Sequence, residues 1–508
     1  MQATATSTAA LRKRRATPTD TSSAKTRRPR LAIVVGMGWG VRNYLLGDTY
    51  RLLKERYDII ILSPYAELPD FVERFAPDNT AVYGRFDLKP KKSMRFYENL
   101  AVAAFYHRRP TNARDNKLRE MRNKLTKYKS RGLAVRLWQQ AIDWCWRRPA
   151  HLVAPYCCPL VIRLYRHMLA KHWDLIPEMR QVIARERVDA VFSTNFVEPW
   201  EWAVSMAAAE VNLPVVTAIT SWDNPTTKKF PICDYAGYLA WSPQMRQELV
   251  DHIGVADESR IRVIGAPQFD FYFNPAYHQS REEFCRQYGL DPQRKIVVYS
   301  TVTPGLMPDN PDVVRHVHDY WKSQLPGNPQ LLVRLHPKDR MERYEALRDD
   351  PDRSDIVWTL AGNPRIAAKD QWCPDHDDMV RAVNTVRHGD VNIHAGYSTM
   401  MLDFAALDKP VIIVGYNSQG CTKQSRTWES YEHLQPVLRS GAVRVAYAPD
   451  ETEQLLRRAL EQPELDSAAR RELIEFELGA IDGGAGRRAA EAVIEMVDAA
   501  LANRKSSH

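Results

Sequence analysis

A chain of 508 residues, 44% hydrophobic and 26% charged, exceeds the about 250–300 residues that one core accommodates and calls for two or three domains. Its apolar runs fall short of the ~20 residues that a membrane helix needs, and seven cysteines without a CxxC pair exclude a disulfide framework or a zinc ribbon. The net charge of +9 is concentrated in two stretches, so its meaning is local.

The first is the N-terminus. Residues 1–30 carry eight Lys or Arg against one Asp and are otherwise rich in Ala, Ser and Thr. Lacking the apolar segment of a secretory signal, they read as the disordered basic tail of a cytoplasmic protein, touching anionic lipid or nothing at all. Folding begins at Leu31-Ala32-Ile33-Val34-Val35, which runs into Gly36-Met37-Gly38-Trp39-Gly40. A helix through Leu45, Tyr50 and Leu53 and a strand at 57–62 complete a βαβ unit. The turn lacks the third glycine of G-x-G-x-x-G, and the second strand ends without an acidic residue, which argues against a dinucleotide site. Gly38 and Trp39 belong either to a turn where a substrate approaches the backbone, on the acceptor side, or to tight strand–helix packing.

The second basic stretch, residues 107–148, holds 13 Lys or Arg against three acidic residues, with Trp138, Trp144 and Trp146 interleaved and the apolar run Leu160-Val161-Ile162 beyond. Two readings stand: residues 107–165 lie on an anionic membrane surface, at the inner face of the plasma membrane, or they belong to an amphipathic helical insertion, about residues 95–180, packed on its own domain. No motif accompanies the charge that would make nucleic acid the partner.

The βα rhythm resumes at 188–193 and again at 213–219. Ser221-Trp222-Asp223-Asn224-Pro225 follows at the carboxyl end of that second strand. Asp223 is either a general base for an acceptor hydroxyl or an Asx turn ahead of Pro225; Trp222 and Asn224 flank it on the acceptor side. Strand signals at 238–242 and 260–265 close a first domain, and the polar residues 274–293 bridge to a strand at 295–300. The loop after it carries Thr301, Thr303 and Gly305, small residues suited to a donor's distal phosphate or sugar. Apolar runs at 331–335, 391–394 and 409–414 read as parallel strands buried on both faces. Ligands bind at the carboxyl ends of such strands. Arg334, His336 and Lys338 leave one strand end, and Ser398-Thr399 open a helix after another, offering free N–H groups, two hydroxyls and a positive dipole end to a phosphate. Trp358 and Trp372 are placed for a base-stacking wall, and Tyr397 and Asp403 for the nucleotide and sugar cleft. Asp375-His376-Asp377-Asp378 reads as a dipole-favoured first helical turn rather than a metal site.

His336-Pro337 and Ser398-Thr399, each in this strand-end context, resemble the His-Pro and Ser/Thr-Ser motifs of bacterial GT-B sialyltransferases. They also resemble the donor half of CDP-glycerol glycerophosphotransferases and related capsule glycosyltransferases. The resemblance spans residues 188 to 490. It implies that His336, Ser398 and Thr399 contact the donor's phosphates, with Arg334 and Lys338 assisting. Ser221-Trp222-Asp223-Asn224 looks like the Trp-Asp-Asn segment of envelope glycosyltransferases; the glycerophosphotransferases carry their proposed histidine base where Asp223 stands here. Residues 481–488 and the helix after them resemble the GT-B helix that crosses back to the first domain.

The expectation is therefore an α/β protein of the GT-B fold, two Rossmann-like doubly wound domains facing a cleft. The basic tail would span 1–30, the acceptor domain 31–272, the nucleotide-donor domain 273–480, and the crossing helix 481–503. It would move a sugar from a nucleotide-activated donor to a hydroxyl of a cell-envelope glycan or lipid-linked acceptor. No cofactor is implied; helix dipole and cations would supply the positive field, so that no metal is required. The alternatives are a CDP-alditol transferase, a sugar-nucleotide epimerase and a non-catalytic membrane-bound scaffold.

Overall fold

A computed structural model describes residues 27–75, 81–83, 90–126, 156–321, 325–362, 372–417, 420–421 and 423–506. Most of the basic tail, and residues 127–155 with Trp138, Trp144 and Trp146, lie outside them.

Short β-branched runs make two sheets. The first orders β1 (Arg30–Val34), β2 (Asp58–Leu62), β3 (Ala81–Tyr83), β4 (Ala190–Ser193), β5 (Val215–Ala218), β6 (Gly237–Ala240) and β7 (Ile261–Val263) as β3-β2-β1-β4-β5-β6-β7. The second contains β8 (Ile296–Ser300), β9 (Gln330–Leu335), β10 (Val357–Leu360), β11 (Val391–His394) and β12 (Val411–Val414). A small hairpin of β13 (Tyr416–Asn417) and β14 (Gly420–Cys421) stands apart before the last strand, β15 (Val443–Ala446). The order is β10-β9-β8-β11-β12-β15. Every pairing in both large sheets is parallel. Each sheet therefore needs helices on both faces, and its strands bury residues of both parities. In β1, Leu31 and Ile33 join the layer containing Ala489, Val493 and Val497, whereas Ala32 and Val34 join the layer of Ala101 and Phe105. The result is two doubly wound domains facing a cleft, the GT-B arrangement. Strand order reverses between β1 and β4 and between β8 and β11, and these are the points where such sheets open crevices at their carboxyl ends.

Three strands of the two large sheets, and the small hairpin, escape the sequence reading. β3 and β10 are short edge strands, and β15 pairs at the other edge of the second sheet. Trp358 lies in β10 with its ring 5.4 Å from Tyr344, so it serves the outer core of the second domain and not a base wall. The described part of the basic insertion forms helices Met94–Arg108, Asn112–Thr126, Cys158–His172 and Leu175–Arg185. It packs on its own domain, and helix Asn112–Thr126 also reaches the second, with Asn112 bonded to Glu432 and Ser430 and Asn116 to Tyr431. Arg114 is fully buried, with its guanidinium donating to the carbonyls of Arg109, Pro225, Lys228 and His252, and burial lowers its pKa to about 10. Among the described residues, no helix is long and apolar enough to cross a membrane.

The last helix, Ala485–Ser506, returns onto the first sheet, where Met496 packs over Gly237. Its first turn is held by Asp270, whose two oxygens accept the N–H groups of Ala485 (3.1 Å) and Gly486 (2.6 Å). Replacing that carboxylate leaves two helix-terminal donors without a partner. Asp270→Ala is expected to lower stability by about 1–2 kcal/mol, read as the midpoint of urea unfolding.

Candidate functional site

A cleft cavity of about 320 Å³ lies between the carboxyl ends of the two sheets. On the second-domain side, β9 brings Arg334 to its floor. The residue is 5% exposed, and its buried Nη1 makes no hydrogen bond. A buried guanidinium N–H without an acceptor is costly, and the residue that carries it lines the cavity. One residue past the strand, the His336 N–H is accepted by the Thr301 hydroxyl at 2.9 Å, which ties the end of β9 to the end of β8. His336 Nδ1 accepts the Lys338 N–H at 3.0 Å, so Nε2 carries the proton. Burial and the Lys338 charge lower its pKa to about 4, against the pull of Asp339. At neutral pH it is an uncharged hydrogen-bond donor.

Beside it, helix Thr399–Ala406 starts with Ser398 as its cap, accepting the Met400 N–H. His394, at the end of β11, has Nδ1 3.0 Å from the Ser300 carbonyl and Nε2 2.7 Å from the Ser398 hydroxyl. A carbonyl only accepts, so Nδ1 must donate; burial keeps the ring neutral, with its pKa lowered to about 4. Nε2 must then accept the Ser398 proton. Ser398 is thereby committed to positioning the helix, its Oγ and carbonyl accepting the Met400 and Met401 N–H groups, and Thr399 remains to meet a ligand. Sequence reading passed over His394; its one signal is a histidine ending a buried strand four residues before a capping serine.

The opposite wall is a polar chain. Arg42 donates to Gln268 Oε1, the Gln268 amide lies 3.5 Å from Asp403, and Tyr272 hydrogen-bonds the same carboxyl. Burial raises Asp403 to about 6, although Arg42, Tyr272, Arg334 and Gln268 all oppose the shift. Arg42, Gln268 and Tyr272 carry no motif and were not foreseen, because only the closure of two domains brings them to Asp403. Nearby, Asp223 accepts from Ser221 Oγ (2.5 Å) and Thr227 Oγ1 (2.9 Å), with Lys228 Nζ at 4.0 Å. Burial works to raise this carboxyl, but Lys228, His433, Ser221 and Thr227 outweigh it and hold it below the usual range. Asp223 is therefore a weak base, and its donors mark it as the brace of its own turn. Trp222 packs edge-on to His433 at 5.0 Å, and Thr226 Oγ1 lies 3.0 Å from His433 Nδ1, so the turn is seated on the second domain. Arg114 and Thr111 hold it from behind through the carbonyls of Pro225 and Thr226.

Arg334, His336, Ser398, Thr399, Thr301, Trp372, Tyr397, Asp403, Trp39, Trp222 and Asp223 all line this cavity. Five expected residues do not. Thr303 and Gly305 lie outside its lining, and a Cβ on Gly305 would meet open space. Asn224 is buried in the turn, donating to Asp223. Lys338 and Gly38 line a second cavity of about 450 Å³ instead. Between the two cavities stand Trp39 and Trp372, edge to face with ring centroids 4.7 Å apart. Trp372 is anchored by its indole N–H to Asp378 (2.7 Å) and by its carbonyl, which accepts from the Tyr65 hydroxyl (2.9 Å). A Cβ on Gly38 would lie 2.0 Å from that carbonyl oxygen. The glycine thus admits a backbone of the second domain at the spot where a substrate was expected. Asp375, from the acidic run, caps helix His376–His388 by accepting the Asp378 N–H at 2.8 Å. Among the described residues, no group of three or more His, Cys, Asp or Glu is arranged to hold a metal ion.

Neither a family model nor a curated protein matches this sequence. Solved structures do share its architecture along nearly the whole chain. The UDP-GlcNAc 2-epimerase of Neisseria meningitidis, bound to UDP-GlcNAc, superposes with a TM-score of 0.51 at 10% identity, covering 92% of this chain and 100% of that one. A putative UDP-N-acetylglucosamine 2-epimerase from Listeria monocytogenes gives 0.51 at 11% identity, over 94% and 98%. The UDP-GlcNAc 2-epimerase of Methanocaldococcus jannaschii gives 0.50 at 11%, over 92% and 99%. Likeness at this identity is likeness of fold.

Two outcomes follow from the site's packing. Gly38→Ala forces apart the Trp372 carbonyl and the first-domain turn, and is expected to cost about 1–3 kcal/mol of stability in urea unfolding. Asp403, raised in the folded chain, stays protonated between about pH 4 and 6 while the unfolded chain ionises. Its contribution is present below about pH 4 and is lost as pH rises through about 6. Stability of Asp403→Asn relative to the parent should therefore climb across that window, by up to about 3 kcal/mol, in urea midpoints measured from pH 4 to 7.

Proposed function

We propose that this chain is a nucleotide-sugar-dependent glycosyltransferase, moving a sugar to a hydroxyl of a cell-envelope glycan or lipid-linked acceptor at the inner face of the plasma membrane. The observation that carries the reading is the buried Arg334 guanidinium with an unbonded N–H, lining the same cavity as a neutral, proton-bearing His336 Nε2 and Thr399 at a helix N-terminus. All three line the same cavity, and all three suit a diphosphate. As the acceptor oxygen bonds to the anomeric carbon and gives up its proton to solvent, the bond from that carbon to the diphosphate breaks. Its electron pair goes to the leaving phosphate oxygen, where Arg334, His336, Thr399 and the helix dipole stabilise the new charge. Asp403, with Gln268 and Tyr272, is placed to accept hydroxyl hydrogen bonds from the ribose or the donor sugar.

The fold is shared with UDP-GlcNAc 2-epimerases, and isomerisation is the second reading. The cleft's continuation behind Trp372 into a cavity larger than the first favours a second substrate, which an isomerase has no use for. Asp223, where glycerophosphotransferases carry histidine, favours glycoside over phosphodiester formation.

Thermal unfolding with UDP, CDP, CMP, GDP and their sugars tests the reading. The true donor at 100 times its Kd should stabilise by about 2.7 kcal/mol, and the absence of any nucleotide-induced shift removes the proposal. With that donor, His336→Ala is expected to cut turnover by about a hundredfold, and unchanged turnover would take the residue out of the mechanism. A product released without any acceptor would identify an epimerase.

A further inference from the structure

The second cavity has walls of a different character from the first. Trp173, Trp200, Trp202, Tyr65 and Tyr165 surround it, together with the Trp39–Trp372 partition. Two carboxyls reach it, Glu98 and Glu198, and three cations, Lys91, Arg95 and Lys338. Glu98 is already paired with Lys229, whose ammonium sits 4.1 Å from the centroid of the Trp202 ring. Among the described residues, the balance left for a ligand is therefore three cations against the carboxyl of Glu198.

Each feature narrows the occupant. Flat aromatic walls offer apolar area without absorbing polar groups, which suits the C–H faces of pyranose rings. An aromatic cage also suits a quaternary ammonium, but the excess of cations here would repel one. Lys91, Arg95 and Lys338 are exposed at their own surfaces, so they meet a charged substituent without stranding it in a dry interior. Burial pushes Glu198 above the usual carboxylate range, against the Trp200 N–H, Lys229 and Lys338. Its carboxyl can accept a hydroxyl hydrogen bond.

We propose that the cavity behind the Trp39–Trp372 partition is the acceptor site and takes a pyranoside bearing a carboxylate or a phosphate. This rests on the glycosyltransferase reading above, since it names the partner of the same reaction. The aromatic walls hold the ring, the basic mouth holds the anion, and the Trp39–Trp372 pair lines both this cavity and the donor's.

The test uses the full chain and four probes: methyl β-glucuronide, glucose 6-phosphate, neutral methyl β-glucoside, and UDP. Sugar binding is read by saturation-transfer NMR and UDP binding by thermal shift. Both anionic sugars, or one of them, should bind about tenfold more tightly than the neutral glycoside. The stronger of the two tells a uronate acceptor from a sugar-phosphate acceptor. Arg95→Ser should remove that preference, and Trp200→Ala should weaken all three sugars, with UDP binding unchanged in both. The retained UDP shift shows that each variant is folded; should Trp200→Ala fail that check, the exposed Arg95→Ser carries the test. A neutral glycoside bound as tightly as its anionic counterparts, or anionic binding that survives Arg95→Ser, overturns the inference while leaving the donor site standing. If UDP and the other nucleotides fail to shift the parent chain, it is the function reading that falls instead.

Discussion

One contact between the domains sets the rest of the arrangement: the Trp372 backbone lying against a glycine that has no side chain. With its carbonyl on the Tyr65 hydroxyl and its indole on Asp378, Trp372 is held from both domains at once, and Arg42 lies 5.8 Å from its ring centroid. Cys373, the next residue, is buried within the apolar layer of the first domain. This seat sets how closely the two sheets' carboxyl ends face each other. It also divides the space between them into two cavities with different walls. Turn and brace on the far side repeat the principle, with Thr226 on His433 and Arg114 behind them.

The electrostatics follow from that closure. Bringing Arg42, Arg334 and Asp403 into one dry space raises the carboxyl and leaves one guanidinium nitrogen of Arg334 without an acceptor. His336 and His394 are forced neutral by the same burial, and their tautomers are then dictated by their neighbours. One neutral imidazole points a proton at the cavity; the other takes its proton from Ser398 and orients a helix. Two histidines with similar shifts thus do different work, because one borders a backbone N–H and the other a carbonyl.

Asp223 shows how environment overrides residue type. A carboxylate at a strand's carboxyl end is a reasonable base in sequence, yet three local donors and a lysine satisfy it. Ser398 is parallel: a hydroxyl at a helix N-terminus reads as a phosphate contact, and its proton is already committed. Both positions line the cleft, where hydrogen-bond partners within the chain already engage the groups that the sequence reading offered to a ligand.

What could be read from the chain alone was whatever depends on short-range pattern. Buried β-branched runs such as 296–300 and 411–414 declare parallel strands, and alternation with helical periodicity declares doubly wound domains. The strand-end placing of Arg334, His336 and Ser398-Thr399 follows, because the carboxyl ends of such strands are where the crevice opens. Edge strands such as β10, less deeply buried, lack the apolar signature and were missed. Tertiary structure alone decided which groups from the two domains meet: Arg42 and Gln268 at Asp403, Trp372 on Gly38, Arg114 under the Asp223 turn. Those pairings join residues far apart in the chain, and contacts of that kind leave no periodicity in the sequence from which they could be inferred.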